Sequence, residues 1–190
     1  MRIVIMRHGR PELDLDALKK QKFSVLKLGE IVEQYEQSAL EKSQTIPHSS
    51  LTIVQSCQFA LSSDLPRAIG SIEKLGLKEI HQTDAVFRES PLPYFNWSWP
   101  FLSFFTWAVA LRVLWLFGFA TNGESIKTAR ARAQTGAGKL HQYATEHGSV
   151  FLLGHGIMNR LIAKELSSKG WKKVESNGEN YWSYSVYERL

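Results

Sequence analysis

Two stretches far apart in the chain end in the same way. RIVIMRHG starts at Arg2 and VFLLGHG at Val150, and each is an apolar run that stops at a histidine followed by glycine: His8-Gly9 and His155-Gly156. Arg7 directly precedes the first histidine, and SSDLPRA places Arg67 just beyond a third apolar run, FALSS. Imidazole is a nucleophile, a proton carrier or a metal ligand at neutral pH. Guanidinium keeps its charge and offers a planar fork of donors that fits oxyanions. Taken singly, a histidine after a strand is more often a loop residue and an arginine opening a helix more often a surface residue. Matched contexts for both histidines favour a joint use. Arg7, Arg67, His8 and His155 together suit a tetrahedral, doubly negative group held from several sides, and a glycine after each histidine lets a ligand approach main-chain N–H groups. Zinc is the rival use. HExxH, HxH and cysteine-based spacings are all absent, Cys57 is the only cysteine, and no third ligand suggests itself, so neither metal nor cofactor is expected.

Elements that would bring these residues together follow from the apolar patterning. RIVIM, FALSS and VFLLG read as buried strands. Leu26 to Lys42 carries apolar residues at helical spacing, DLPRAIGSIEKLG reads as a turn into a helix, and NRLIAKELSSKG as another helix. KEIHQTDAVFRES, from Lys78 to Ser90, reads as a third strand with an irregular end, and YWSYSVYERL as a closing strand. GESIKTARARAQTGAGKLHQYATEHG reads as a long helix with Asn122 or Ser125 as N-cap. Alternating strands and helices predict an α/β fold: a three-layer, doubly wound α/β/α arrangement around a mostly parallel sheet. In such sheets ligands collect beyond the carboxyl ends of the strands, where the two histidines would then meet.

The 190 residues suffice for one domain with a sizeable core. The net charge of +5 favours an anionic partner, but no dense Lys/Arg block interleaves with aromatics, so nucleic acid is not expected. A lone cysteine suits a reducing compartment, and the first apolar run is too short for a secretory signal, so a cytoplasmic protein is expected.

Five features in order resemble the phosphoglycerate mutase-like branch of the histidine phosphatase superfamily: Arg7-His8-Gly9, Arg67 in SSDLPRA, Glu89 in FRES, the NGES stretch from Asn122 to Ser125, and His155 in LLGHG. The resemblance spans nearly the whole chain as a single domain, apart from an insertion at about 93–121. It implies a metal-independent phosphatase acting on a small phosphorylated substrate, with His8 as nucleophile through a neutral ring nitrogen. Arg7, Arg67 and His155 would hold the equatorial oxygens, Arg10 and Gly156 would line the substrate, and Glu89, kept protonated by burial or a nearby dianion, would be the acid. The alternatives are a mutase-like phosphotransferase and a non-catalytic phosphate-binding module. Departures exist: Arg10-Pro11-Glu12 follows RHG where relatives carry a small hydroxyl residue, and no asparagine appears before Asn96, which argues against phosphoglycerate mutation.

The stretch from Asn96 to Phe119 is the least ordinary, with four of the six tryptophans. It approaches the length of a membrane span. One crossing would nevertheless place Glu89 and His155 on opposite sides of a bilayer, and Arg112 sits in its middle, so no transmembrane span is expected. A buried helix pair or hairpin forming an apolar cap is the preferred reading, with a homodimer surface or a membrane-interface contact left open. A cap of this kind favours a substrate with an aromatic or aliphatic body, with Trp107 and Trp115 as its expected contacts. Arg130 and Arg132 are expected on a solvated helix face.

Overall fold

The computed structural model describes residues 1–18, 20–77 and 81–190. The central sheet has six strands among the described residues: β1 (Arg2–Arg7), β3 (Phe59–Ser62), β4 (Gln82–Thr83), β6 (Ser149–Gly154), β7 (Lys172–Ser176) and β8 (Tyr184–Glu188), in the order β4-β3-β6-β1-β8-β7. The four strands β4, β3, β6 and β1 run parallel; at one edge β8 pairs antiparallel with β1, and β7 pairs antiparallel with β8. This is the mostly parallel α/β fold expected.

Runs such as Ile3 to Met6 and Val150 to Leu153 are apolar throughout because both sheet faces are covered. On one face Ile3, Ile5, Leu61, Val150 and Leu152 pack against α5 (Ile126–His147) and α6 (Gly156–Ser168). On the other face, Val4, Met6, Ala60, Phe151 and Leu153 pack against α2 (His48–Gln55) and α3 (Pro66–Lys74). The alternation of odd and even residues between the two cores follows from the two-residue period of a strand.

The apolar insertion forms one helix, α4 (Phe104–Leu116), rather than a pair. Ser103 caps it, and its entry strand β5 (Leu102–Ser103) pairs with β2 (Lys22–Phe23). Trp107 and Leu111 pack on α1 (Val25–Gln37) through Val25, Leu28 and Ile31, beside the main sheet rather than within it. At 13 residues α4 is short, and no helix among the described residues is long and apolar enough to cross a membrane.

The expected third strand is mostly something else. Lys78, Glu79 and Ile80 lie outside the described residues; after them only Gln82–Thr83 is strand, and Ala85–Phe87 is a 3-10 turn in which the Asp84 carboxylate accepts from Val86 N–H. β7 was not expected at all. All five of its residues are exposed, so it carries no apolar alternation to read.

Candidate active site

β1 and β6 are neighbours in register, with Arg7 opposite Gly154, so the next residues of both chains, His8 and His155, emerge side by side. Their ring centroids are 4.9 Å apart. His8 N–H donates to the Gly154 carbonyl at 3.0 Å, and Asn159 Nδ2 donates to the Met6 carbonyl at 3.0 Å while its Oδ1 accepts from His155 N–H at 3.2 Å. Asn159, from the first turn of α6, thus laces the two strand ends together.

The His8 ring is fixed by its own backbone. Nδ1 lies 2.6 Å from the Gly9 carbonyl, which only accepts, so Nδ1 carries the proton and Nε2 keeps its lone pair. Arg67 Nε donates to that Nε2 at 3.3 Å. Burial, then the charge of Arg67, holds the His8 imidazole well below its ordinary pKa, and burial, then His8 itself, does the same for His155. Both rings are therefore neutral at physiological pH.

Arg67 has no exposed surface. It stands in the first turn of α3, its Nη1 donates to the carbonyls of Tyr35 and Glu36, its Nη2 pairs with the Glu36 carboxylate at 3.4 Å, and its guanidinium lies 4.6 Å over the Tyr35 ring. Arg7 donates from Nη1 to the Glu179 carbonyl and rests 4.4 Å over Tyr181, whose ring is also 5.7 Å from His8. What remains unused is informative. Arg7 Nε and both ring nitrogens of His155 are buried and have no partner among the described residues. Buried polar atoms are costly when unpaired; Arg7 Nε–H and the one N–H of a neutral His155 ring are donors that an anionic ligand could take up.

Glu89 takes up a second position beside this cluster. His155 is the N-cap residue of α6 but makes no side-chain cap bond. Glu89 performs that task from another part of the chain: Oε2 accepts from Ile157 N–H at 3.1 Å, and Oε1 from Met158 N–H at 2.9 Å and from Ser90 N–H at 3.0 Å. A carboxylate at a helix N-terminus is favourable, and this one leaves the His155 ring for a ligand. Gly156 lies between Arg7 and Glu89, and a Cβ there would sit 3.7 Å from both Arg7 Nε and Glu89 Oε2. A cavity of about 450 Å³ opens beside Glu89, with Tyr35, Glu36, Ser90 and Arg112 in its wall and α4 along its side. Among the described residues no group of three His, Cys, Asp or Glu side chains could hold a metal ion.

No family model matches the sequence, and no curated protein matches it. Solved structures do match, along nearly the whole chain. A functionally characterised open reading frame product of Mycobacterium tuberculosis is 13% identical with a TM-score of 0.66, over 100% of this chain and 91% of that one. The α-ribazole phosphatase of Shigella flexneri is 16% identical with a TM-score of 0.58, over 100% and 91%. Phosphoglycerate mutase from Bacillus anthracis is 16% identical with a TM-score of 0.58, over 99% and 88%. The chain shares the fold of these phosphatase and mutase structures.

Within this fold His8, His155, Arg7, Arg67, Gly156 and Glu89 come together, although His8 and His155 are 147 positions apart in the sequence. Arg10 does not join them: its guanidinium is taken up at the surface by Asp14 at 3.2 Å and Asp16 at 3.4 Å. Arg132 is not a solvated helix residue. It grips Glu124 through two bonds of 2.9 and 2.6 Å and donates to the carbonyls of Val86, Arg88 and Glu89, so it fixes the segment that carries Glu89. Arg130 is exposed, as expected.

Trp107 and Trp115 also differ from expectation. Both are buried, with indole N–H groups donating to the carbonyls of Phe23 and Glu124 respectively, and neither lines the cavity. They anchor α4; its other faces line the cavity. Tyr35, Tyr181, Asn159 and Arg132 carried no motif in the sequence, and only the alternation of strands and helices hinted that elements so distant would meet.

Proposed function

We propose that the protein is a phosphatase that hydrolyses a phosphomonoester through a phosphohistidine on His8, without a metal ion. The observation that carries this reading is the His8 Nε2 lone pair, fixed by the Nδ1–Gly9 bond and ringed by Arg67 and the unpartnered polar atoms of Arg7 and His155.

In the first step the Nε2 lone pair attacks phosphorus, the bond from phosphorus to the ester oxygen breaks, and Glu89, which takes up a proton when the substrate dianion binds beside it, delivers that proton to the departing alkoxide. Arg7, Arg67 and His155 donate to the three equatorial oxygens as charge spreads over them. In the second step Glu89 takes a proton from water, the water oxygen bonds to phosphorus, and the phosphorus–nitrogen bond returns its electron pair to Nε2. The fold is shared by proteins named as phosphatases and by one named as a phosphoglycerate mutase, which supports phosphoryl chemistry of this class for the chain.

The test is to incubate the protein with a labelled aryl phosphate and EDTA, then quench. Hydrolysis that survives EDTA, with acid-labile label that disappears in His8→Ala, is expected. Label without net phosphate release would assign a phosphotransferase instead, and neither label nor turnover over a broad panel would assign a phosphate-binding module.

A further inference from the structure

The cavity beside Glu89 differs in character from one end to the other. Its inner end belongs to the histidine site: Tyr35 and Glu36 hold Arg67 through their carbonyls, and Glu89 caps the helix that follows His155. Away from that end the wall is α4, and every α4 residue that lines it except Arg112 is apolar. Arg112 is turned inward, donating from Nη2 to the Ser90 carbonyl with its guanidinium 4.6 Å over the Trp115 ring. Apart from Arg112, whose Nη1 is buried and has no partner among the described residues, the cavity side of α4 offers sugar or nucleoside hydroxyls no donor or acceptor to replace their water.

Length and openness narrow the choice among apolar bodies. Phe104 and Leu116, at the two ends of α4, both line the cavity, and with a rise of about 1.5 Å per residue the groove is about 18 Å long. That is several times the width of one aromatic ring. Val109, Val113 and Leu116 line the groove and are nevertheless 65%, 47% and 56% exposed, so its outer side is open to water. A groove with cationic and imidazole groups at one end and a long, open apolar side fits an occupant with a phosphate head and an extended hydrocarbon tail.

We propose that the substrate is the phosphate monoester of a long-chain alcohol, with its chain laid along α4 through Val109, Val113 and Leu116. This rests on the phosphatase reading for its head group and adds the nature of the alcohol. On binding, the chain covers the apolar side of α4, which is open in the free protein.

The experiment measures kcat/KM of the full chain, in EDTA, on n-alkyl phosphates from ethyl to dodecyl, each below its aggregation concentration. The expected result is a rise of about two- to fourfold per added methylene, levelling once the groove is full. Val109→Asp is expected to flatten that rise. A flat series in the wild-type protein, with ethyl phosphate still hydrolysed, overturns the long-chain proposal and leaves the phosphatase standing. Absence of turnover across the whole series overturns the phosphatase reading instead. The groove is then judged by calorimetric binding of the same alkyl phosphates to His8→Ala, where affinity that climbs with chain length upholds it and affinity independent of length overturns it. Light scattering that finds a dimer dispersed by Val109→Asp, with no chain-length dependence, assigns the face to a second copy and also overturns the proposal.

Discussion

Arg67 Nε stands 3.3 Å from His8 Nε2, on the one ring nitrogen that the Gly9 carbonyl leaves with a lone pair. One guanidinium therefore orients the His8 ring in the free protein and, under the proposed function, would also meet a phosphoryl oxygen. Arg67→Lys keeps the charge but loses the fork and the bonds to Tyr35 and Glu36. We expect kcat/KM on an aryl phosphate to fall about a hundredfold, equivalent to about 3 kcal/mol, with the fold retained by circular dichroism. A loss below threefold would remove Arg67 from the transition state.

Stability should depend on pH through the two imidazoles. Both have folded-state pKa values well below 6.5, so in acid the unfolded chain binds protons that the folded protein refuses. Their penalty is absent above about pH 6.5 and grows as pH falls below it, until the folded rings also protonate. We expect Tm to drop by about 5 °C or more per pH unit between pH 6 and 5, and the drop to shrink in a His8→Asn, His155→Asn double variant. Parallel melting curves for the two proteins would contradict the neutral pair.

The identity of the acid is open to a direct comparison. Glu89 accepts three backbone N–H bonds, while burial pushes the Glu36 carboxyl upward against the pull of Arg67, and both line the cavity. Glu89→Gln should slow an alkyl phosphate at least tenfold more than 4-nitrophenyl phosphate, whose leaving group departs without a proton. If Glu36→Gln produces that pattern and Glu89→Gln does not, Glu36 is the proton donor.

Under the proposed function Arg132 would act through Glu89, whose segment it holds, rather than on substrate. Arg132→Met removes its bonds to Glu124 and to the carbonyls of Val86, Arg88 and Glu89. A steeper dependence of kcat on leaving-group acidity is expected, with KM little changed and partial recovery in Arg132→Lys. A variant that lost only thermal stability would show Arg132 to be structural.

Trp115→Ala should cost about 3–5 kcal/mol, or about 10 °C in Tm, because a fully buried indole and its bond to the Glu124 carbonyl are removed. The ratio of activities on small and bulky substrates should hold, since Trp115 does not line the cavity. A selective loss on bulky substrates would return it to the substrate's side.

The strands that deliver His8 and His155 were legible because burial on both faces leaves an uninterrupted apolar run, and each run ends where the chemistry starts. Helix caps that come from elsewhere in the chain leave no such trace. Glu89 caps α6 from a turn that looked like strand, and what ends that strand is Asp84, whose carboxylate accepts from Val86 N–H. Arg132 was hidden for a related reason: three of its partners are main-chain carbonyls, which any sequence supplies. The tryptophans of the insertion misled because burial and substrate contact ask for the same residue type, and only the facing of α4 tells them apart.

Pairing of β1 with β6 sets the separation of the two backbones from which the imidazoles project, at the ladder spacing of about 4.8 Å. The helix that walls the groove is attached beside that ladder and shares none of its rungs. Under the proposed function, grafting a foreign α4 onto this scaffold would thus change what is bound without moving the paired histidines, which makes selectivity and reactivity separately heritable traits of one polypeptide.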